Sequence, residues 1–450
     1  MKHLRITALI VSLTATLASQ VHAEVTLPSI IDSHMVLQRE QPIPIWGWAD
    51  PDEDVSVTFA GKTEKATANK DGKWQVTFPA MDANAKPQSM TIKGTNTIKL
   101  DDILIGEVWI GSGQSNMEWS MRASADPQKN IAEAKHPNLR LFHVLRAKKP
   151  APAKDCTGDW KACTPKSVPN FSAVLYYFGR KLHKDLDVPV GLINSSWGGT
   201  RIEPWTKQNG KGAVLYNGMI APLEPFAMRG VIWYQGESNV FPKHGYKYYG
   251  MMKDLISGWR KQWNREFPFY FAQIAPWGRY APGELPKLWE AQVASLNIPN
   301  TGMAVTTDIV DNINDIHPKN KLDVGERLAL WALAKTYGKR GLLYSGPLYK
   351  GMKTEGSKIR LSFAHVGEGL KSRDGKALTE FKIAGKDGKF VKAEAVIDGN
   401  EVIVSAEGVT EPTQVEFGWH MRANPNLANS AGLPASPFRT KNWRGGTGEK

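Results

Sequence analysis

Cysteine is nearly absent from this 450-residue sequence: there are two, Cys156 and Cys163, both inside CTGDWKAC. Two thiols cannot staple a fold of this length, so its core must rest on apolar burial, which a chain of this size can supply. Their C-x6-C spacing, with no second ligand pair, also speaks against a zinc site. Beyond residue 23 there is no stretch of about 18 apolar residues, which excludes a membrane-spanning helix there. Lys and Arg are spread along the chain without a basic run, which argues against a nucleic-acid partner. No internal repeat or low-complexity linker marks a solenoid or an array.

What is present begins with a targeting segment. Residues 1–23, MKHLRITALIVSLTATLASQVHA, carry Lys2 and Arg5 ahead of an apolar run and end on Val21-His22-Ala23. That pattern is a signal peptide with cleavage expected after Ala23, and an exported protein, periplasmic or extracellular. The formal charge of +13 loses Lys2 and Arg5 with this segment and no acid, leaving +11. In an exported chain the close pair Cys156 and Cys163 is expected to form a small disulfide loop.

The rest divides into three parts. In residues 24–105 the apolar period is two: Val55, Val57 and Phe59, then Trp74, Val76 and Phe78, with Asn69-Lys70-Asp71-Gly72 as a turn. This predicts a small β-sandwich. In residues 106–344 short apolar runs (108–110, 139–145, 190–193, 231–233, 269–274, 303–305) alternate with helical periods. One helical face carries Val174, Leu175, Phe178 and Leu182; another carries Leu322, Leu328 and Trp331. Strands alternating with helices imply an α/β domain with a mostly parallel sheet. From residue 345 to 450 the period of two returns, in Ile359, Leu361 and Phe363 and in Val415, Phe417 and Trp419, which predicts a second β-rich domain.

Chemistry gathers at four places in the middle part. Gly111-Ser112-Gly113-Gln114-Ser115-Asn116-Met117 follows the strand EVWI, a setting that holds a serine on a sharp turn at the carboxyl end of a sheet. Asn194-Ser195-Ser196-Trp197-Gly198-Gly199-Thr200-Arg201 has paired glycines whose backbone N–H groups can approach a ligand. Trp233-Tyr234-Gln235-Gly236-Glu237-Ser238-Asn239 puts polar side chains just after the strand GVIWY. Asp315-Ile316-His317-Pro318 offers an imidazole beside a carboxylate, the base that activates a serine. Each block alone reads as an ordinary turn or polar loop. Together they supply a nucleophile, a base with its orienter, and oxyanion donors, the parts of an acyl-transfer site.

GQSNM, NSSWGGT, WYQGESN and DIHPKNK resemble the blocks of SGNH-type esterases, in the sialate O-acetylesterase branch of carbohydrate O-acetylesterases. HMVLQ with PIPIWGWA, NGMIAPLEPFAMRGVIWYQGESN and GLPASPFRTKNW extend the resemblance over nearly the whole chain after residue 23. It implies a three-layer α/β/α domain flanked by N-terminal and C-terminal β-sandwich-like domains. It also implies Ser115 as nucleophile, His317 as general base and Asp315 as its orienting group. The oxyanion hole would take the backbone N–H groups of Ser115 and Gly199 and the side chain of Gln235. No metal or cofactor is called for. The spacing departs from the family's D-x-x-H, because Asn314 stands where the carboxylate would be. The orienter could therefore be Asp315, a backbone carbonyl of this loop, Asp308 or Asp311.

The expected activity is removal of O-acetyl groups from sialic acids or a related acetylated glycan. The basic charge suits an acidic sugar, and Arg201 could pair with its carboxylate or with its neighbour Glu203. Trp197 and Glu237 complete the expected substrate contacts. Xylan or another neutral glycan is the rival acceptor, and a non-catalytic carbohydrate-binding protein is the rival class. Trp109, Trp119, Trp197, Trp205 and Trp233 all lie near these blocks, as candidate stacking walls for a sugar or as core packing.

Overall fold

The computed structural model describes residues 24–207 and 212–441, so the expected signal segment lies outside the described residues. The centre is a sheet of seven strands: β1 (Thr97–Gly113), β2 (His136–His143), β3 (Trp160–Cys163), β4 (Val190–Ser196), β5 (Gly230–Tyr234), β6 (Phe269–Ala272) and β7 (Thr301–Ala304), in the order β7-β6-β5-β1-β4-β2-β3. All neighbours are parallel except the edge pair β2 and β3. Strands β4 and β5 are buried along their whole length, as expected of a parallel sheet covered on both faces. Helix Ala173–Leu186 buries Val174, Leu175, Phe178 and Leu182, the stripe its periodicity predicted. It packs beside helix Lys321–Trp331, where Gly325 lets the backbones come close: a Cβ there would meet the Val174 carbonyl at 2.6 Å.

The chain runs outward from β1 in both directions, with β4 on one side and β5 on the other. Such a switch point opens a crevice at the carboxyl ends of the strands, where open α/β sheets bind ligands. The register shows what lies there. Gly113 pairs with Ser196 of β4 and with Tyr234 of β5. The residues that follow, Ser115, Trp197–Gly199 and Gln235, therefore emerge at one edge.

The N-terminal strands bury alternate residues as their sequence predicted, including Val55, Val57, Phe59, Trp74, Val76 and Phe78. They form two sheets, and one of them is continuous with the centre through β1. The boundary expected at residue 105 thus falls inside a single strand. Residues 345–441 form two four-stranded antiparallel sheets and a two-stranded one around a separate small core that includes Ile359, Leu361, Phe381, Val404 and Phe417.

The expected disulfide is absent: Cys156 and Cys163 are both buried free thiols. The segment that joins them is extended along β2 rather than looped. The Leu145 N–H donates to the Thr157 carbonyl, Phe142 pairs with Trp160, and His136 pairs with Cys163. Seven residues apart in extended chain is roughly 20 Å, far beyond the ~6 Å Cα separation of a disulfide. Burial pushes both thiols up to about 12.

Candidate active site

Ser115 opens a single helical turn, Ser115–Glu118, directly after β1. Gly113 makes the turn possible. Its φ is +135°, and a Cβ would press on the Tyr234 carbonyl, while the Gln114 N–H donates to that same carbonyl at 3.0 Å. The rival hydroxyl, Ser112, is fully buried. Ser115 Oγ lies 2.9 Å from His317 Nε2. A hydroxyl and an imidazole are therefore in hydrogen-bond reach across 202 residues of sequence, the geometry a serine nucleophile and its base require.

His317 sits on the loop between β7 and helix Lys321–Trp331. Arg327 ties that loop down, with Val305 O at 2.7 Å and both oxygens of Asp308 at 2.7 Å. Asp308 is thus occupied and does not orient the histidine. Asp315 does face it: its Oδ1 accepts the His317 backbone N–H at 2.9 Å and stands 3.4 Å from ring Nδ1. The contact at Nδ1 is long for a hydrogen bond and close for a charge. Trp119 stacks on the imidazole at 4.5 Å and 18°, fixing its plane. Burial and the Lys321 ammonium hold the His317 pKa below its ordinary value, against the pull of Asp315. The ring is accordingly neutral at neutral pH and able to take a proton.

The N–H groups of Ser115 and Gly199 donate to no protein acceptor among the described residues. The Ser115 N–H is one of the donors any helix start leaves unmet. Gly199 has a φ of +73° and open space where a side chain would stand. Its neighbour Gly198 is packed on Ser115, and the Gly198 N–H donates to Glu118 Oε2 at 2.9 Å. Neither of these N–H groups is spent on a protein acceptor, the condition an oxyanion donor has to meet.

Gln235 follows the end of β5 as its block suggested, but its side chain is engaged otherwise than the resemblance implied. Its Nε2 has only two N–H groups and three protein acceptors in reach: Gln114 Oε1 at 3.1 Å, Thr200 O at 3.1 Å and Asn239 Oδ1 at 2.8 Å. Its Oε1 accepts from the Tyr248 hydroxyl at 2.7 Å, and the residue is fully buried. Instead of offering a donor to substrate, it braces the loop that carries Gly199. Glu237 is corrected in the same way. It is 1% exposed and cannot touch a sugar. Its Oε1 accepts from Asn116 Nδ2 at 2.5 Å, and burial raises its pKa.

Asn116 proves to be a hub that the sequence blocks did not single out. Besides Glu237 it reaches Ile316 O at 3.1 Å, and its Oδ1 accepts from Lys321 Nζ at 2.5 Å. One amide next to Ser115 thereby joins the Gln235-Gly236-Glu237 block to the His317 loop. Lys321 is fully buried, with a pKa pushed down to about 7. Both residues stand inside the recognised blocks GQSNM and DIHPKNK, which was the available signal.

Trp109, Trp205 and Trp233 are fully buried and serve the core. Trp197 remains on the rim, with Arg146 and Lys148 over its ring at 5.5 and 5.0 Å. Arg146 also pairs with Glu118 at 2.5 Å, and Arg201 stands 3.7 Å from Glu203. Among the described residues no three His, Cys, Asp or Glu side chains cluster as a metal site.

A family model described as carbohydrate esterase, sialic acid-specific acetylesterase matches residues 105–334. The chain belongs to this family. The match spans the domain built around β1 and includes Ser115, Gly199, Gln235 and His317. A human protein named sialate O-acetylesterase is 32% identical over 381 residues, 71% of this chain and 72% of its own length. The mouse protein of that name is 30% identical over 426 residues, 76% of this chain and 79% of its own. The crystal structure of a carbohydrate acetylesterase from Xanthomonas citri superposes with a TM-score of 0.89 at 39% identity, covering 93% of this chain and all of that one. The likeness therefore takes in the flanking β regions as well as the central sheet. Family membership makes this chain a carbohydrate esterase.

Proposed function

We propose that this chain is an exported serine esterase that removes O-acetyl groups from sialic acids through an acyl-enzyme. The observation that carries the mechanism is the 2.9 Å contact between Ser115 Oγ and His317 Nε2, beside two uncommitted N–H groups. Ser115 attacks the acetyl carbonyl as its proton passes to His317 Nε2. Asp315 steadies the imidazolium that forms. The N–H groups of Ser115 and Gly199 receive the oxyanion, each donor of this kind being worth about 3–4 kcal/mol by mutational loss. His317 then protonates the departing sugar oxygen, and a water that it deprotonates releases acetate. A carbohydrate-binding protein without catalysis would have no use for this serine–histidine contact.

Sialic acid as acceptor is supported by the family's description and by the cations Arg146 and Lys148 over Trp197. A neutral glycan is the second reading. It is favoured by the ion pairs that already occupy Arg146 and Arg201, with Glu118 and Glu203. In sequence, the β regions read as sandwich-like domains over residues 24–105 and 345–450 flank the esterase domain 106–344. Acetate release from 9-O-acetylated sialic acid and from acetyl-xylan, by wild type and Ser115→Ala, tests these statements. Faster release from the sialic acid, abolished in the variant, is expected. Near wild-type release by Ser115→Ala would falsify the mechanism, and faster release from xylan would move the acceptor to the second reading.

A further inference from the structure

Phe241 is the one aromatic among the exposed large apolar side chains of the described residues, at 58% accessibility. Leaving a ring of that size in water gives up the stabilisation its burial would bring. It is not isolated. Its ring meets Trp277 at 5.9 Å and 79°, and Tyr280 at 5.7 Å, while Trp277 and Tyr280 meet at 5.0 Å. Tyr280 is buried beneath, so Phe241 and the half-buried Trp277 form a fixed aromatic surface rather than a loose side chain.

Two bonded connections join this surface to the active site. Phe241 directly follows the short helix Glu237–Val240 that begins at the Gln235-Gly236 turn. The Trp277 indole N–H donates to Asn314 O at 3.1 Å, and the Gly278 N–H donates to Ile313 O at 2.8 Å, both on the His317 loop. Strand order sets its side. Phe241 follows β5 and Trp277 follows β6, whereas Trp197 follows β4 and Arg146 follows β2. Ser115, after β1, therefore lies between the two aromatic rims. From the C-terminal region, Arg422 lies against Gly278 and supports the Trp277 loop.

We propose that Phe241 and Trp277 form a second sugar subsite, on which a pyranose ring of an extended glycan stacks while a neighbouring residue presents its acetyl group to Ser115. The inference rests on the carbohydrate esterase reading and adds that the substrate is an oligosaccharide, not a free monosaccharide. The occupant follows from continuity with the ester site. A pyranose has an apolar C–H face that suits an aromatic ring, with hydroxyls at its edge that stay in water.

The test compares kcat/KM for an O-acetylated oligosaccharide with that for the O-acetylated monosaccharide, using one sialylated pair and one xylose-based pair. Wild type is expected to favour the longer substrate of the pair it accepts. Phe241→Ala is expected to lower that preference on the order of tenfold through KM, and Phe241→Trp to restore it. Quenching of tryptophan fluorescence by the deacetylated oligosaccharide should weaken in parallel. A length preference unchanged by Phe241→Ala, or no length preference in wild type, would overturn the subsite while leaving the esterase reading intact. Loss of hydrolysis on every substrate would instead strike the esterase reading, and the fluorescence titration would still decide the subsite.

Discussion

Burial and a nearby ammonium hold the His317 imidazole below its ordinary pKa, while Asp315 pulls the other way. In the mechanism proposed above turnover needs the neutral ring, so kcat/KM should stay level at neutral pH and fall only as pH drops through that lowered pKa. Lys321 is the charge that can be removed. In Lys321→Met the acid limb of the pH profile is expected to move to higher pH, because one cause of the depression is gone. Asn116 would lose a partner at the same time, so kcat should fall as well; the limb, unlike kcat, would not respond to a purely structural role. A limb that stays in place or moves to lower pH would show that Lys321 does not set the basicity of His317. Gln235 shows why side-chain roles at this scale are hard to read in advance. It follows Tyr234, which pairs with Gly113 at the end of β1. Its hydrogen bonds, however, go to Gln114, Thr200, Asn239 and Tyr248, which come together only in the fold.

At the scale of elements, local signals read best where one strand and its turn decide the outcome. The strand ending in Gly111-Ser112-Gly113 is such a case, since sterics at Gly113 depend on the backbone turn itself. Gly113→Ala should destabilise by about 2 kcal/mol or more, because the new Cβ meets the Tyr234 carbonyl and φ lies outside the range of an L side chain. Equilibrium urea unfolding measures it, and an unchanged midpoint would mean the turn relaxes freely. The cysteines illustrate the opposite case. Nearness in sequence suggested a loop, but antiparallel pairing of β2 and β3 draws the segment straight. Reductant is therefore expected to leave the melting temperature unchanged. A disulfide-exchange thiol reagent should react with Cys156 and Cys163 only after unfolding, since both are buried with thiols raised to about 12. Rapid labelling of the native protein would contradict this.

For the whole molecule, cores matter more than the pattern changes by which a sequence is divided. The period of two in residues 24–105 is real, yet its apolar residues belong to the same core as the central sheet, and β1 runs through both. Nothing in one-dimensional alternation reveals that a 17-residue strand serves two sheets. Residues after 345 instead enclose their own small core. They meet the esterase domain through polar contacts, Gln273 donating to Ser436 at 2.9 Å and Arg439 to Glu290 at 3.0 Å, and through a few apolar side chains, Ala423, Leu348 and Met421, that pack on the central core. Shared apolar burial couples unfolding, whereas units with separate cores and few apolar contacts between them can melt apart. Hydrogen exchange under rising urea should therefore show residues 24–344 opening as one cooperative unit and residues 345–441 opening as another. Esterase activity should be lost with the first. Independent opening of residues 24–96 ahead of β4 and β5 would mean that β1 does not transmit cooperativity between the two sheets it joins.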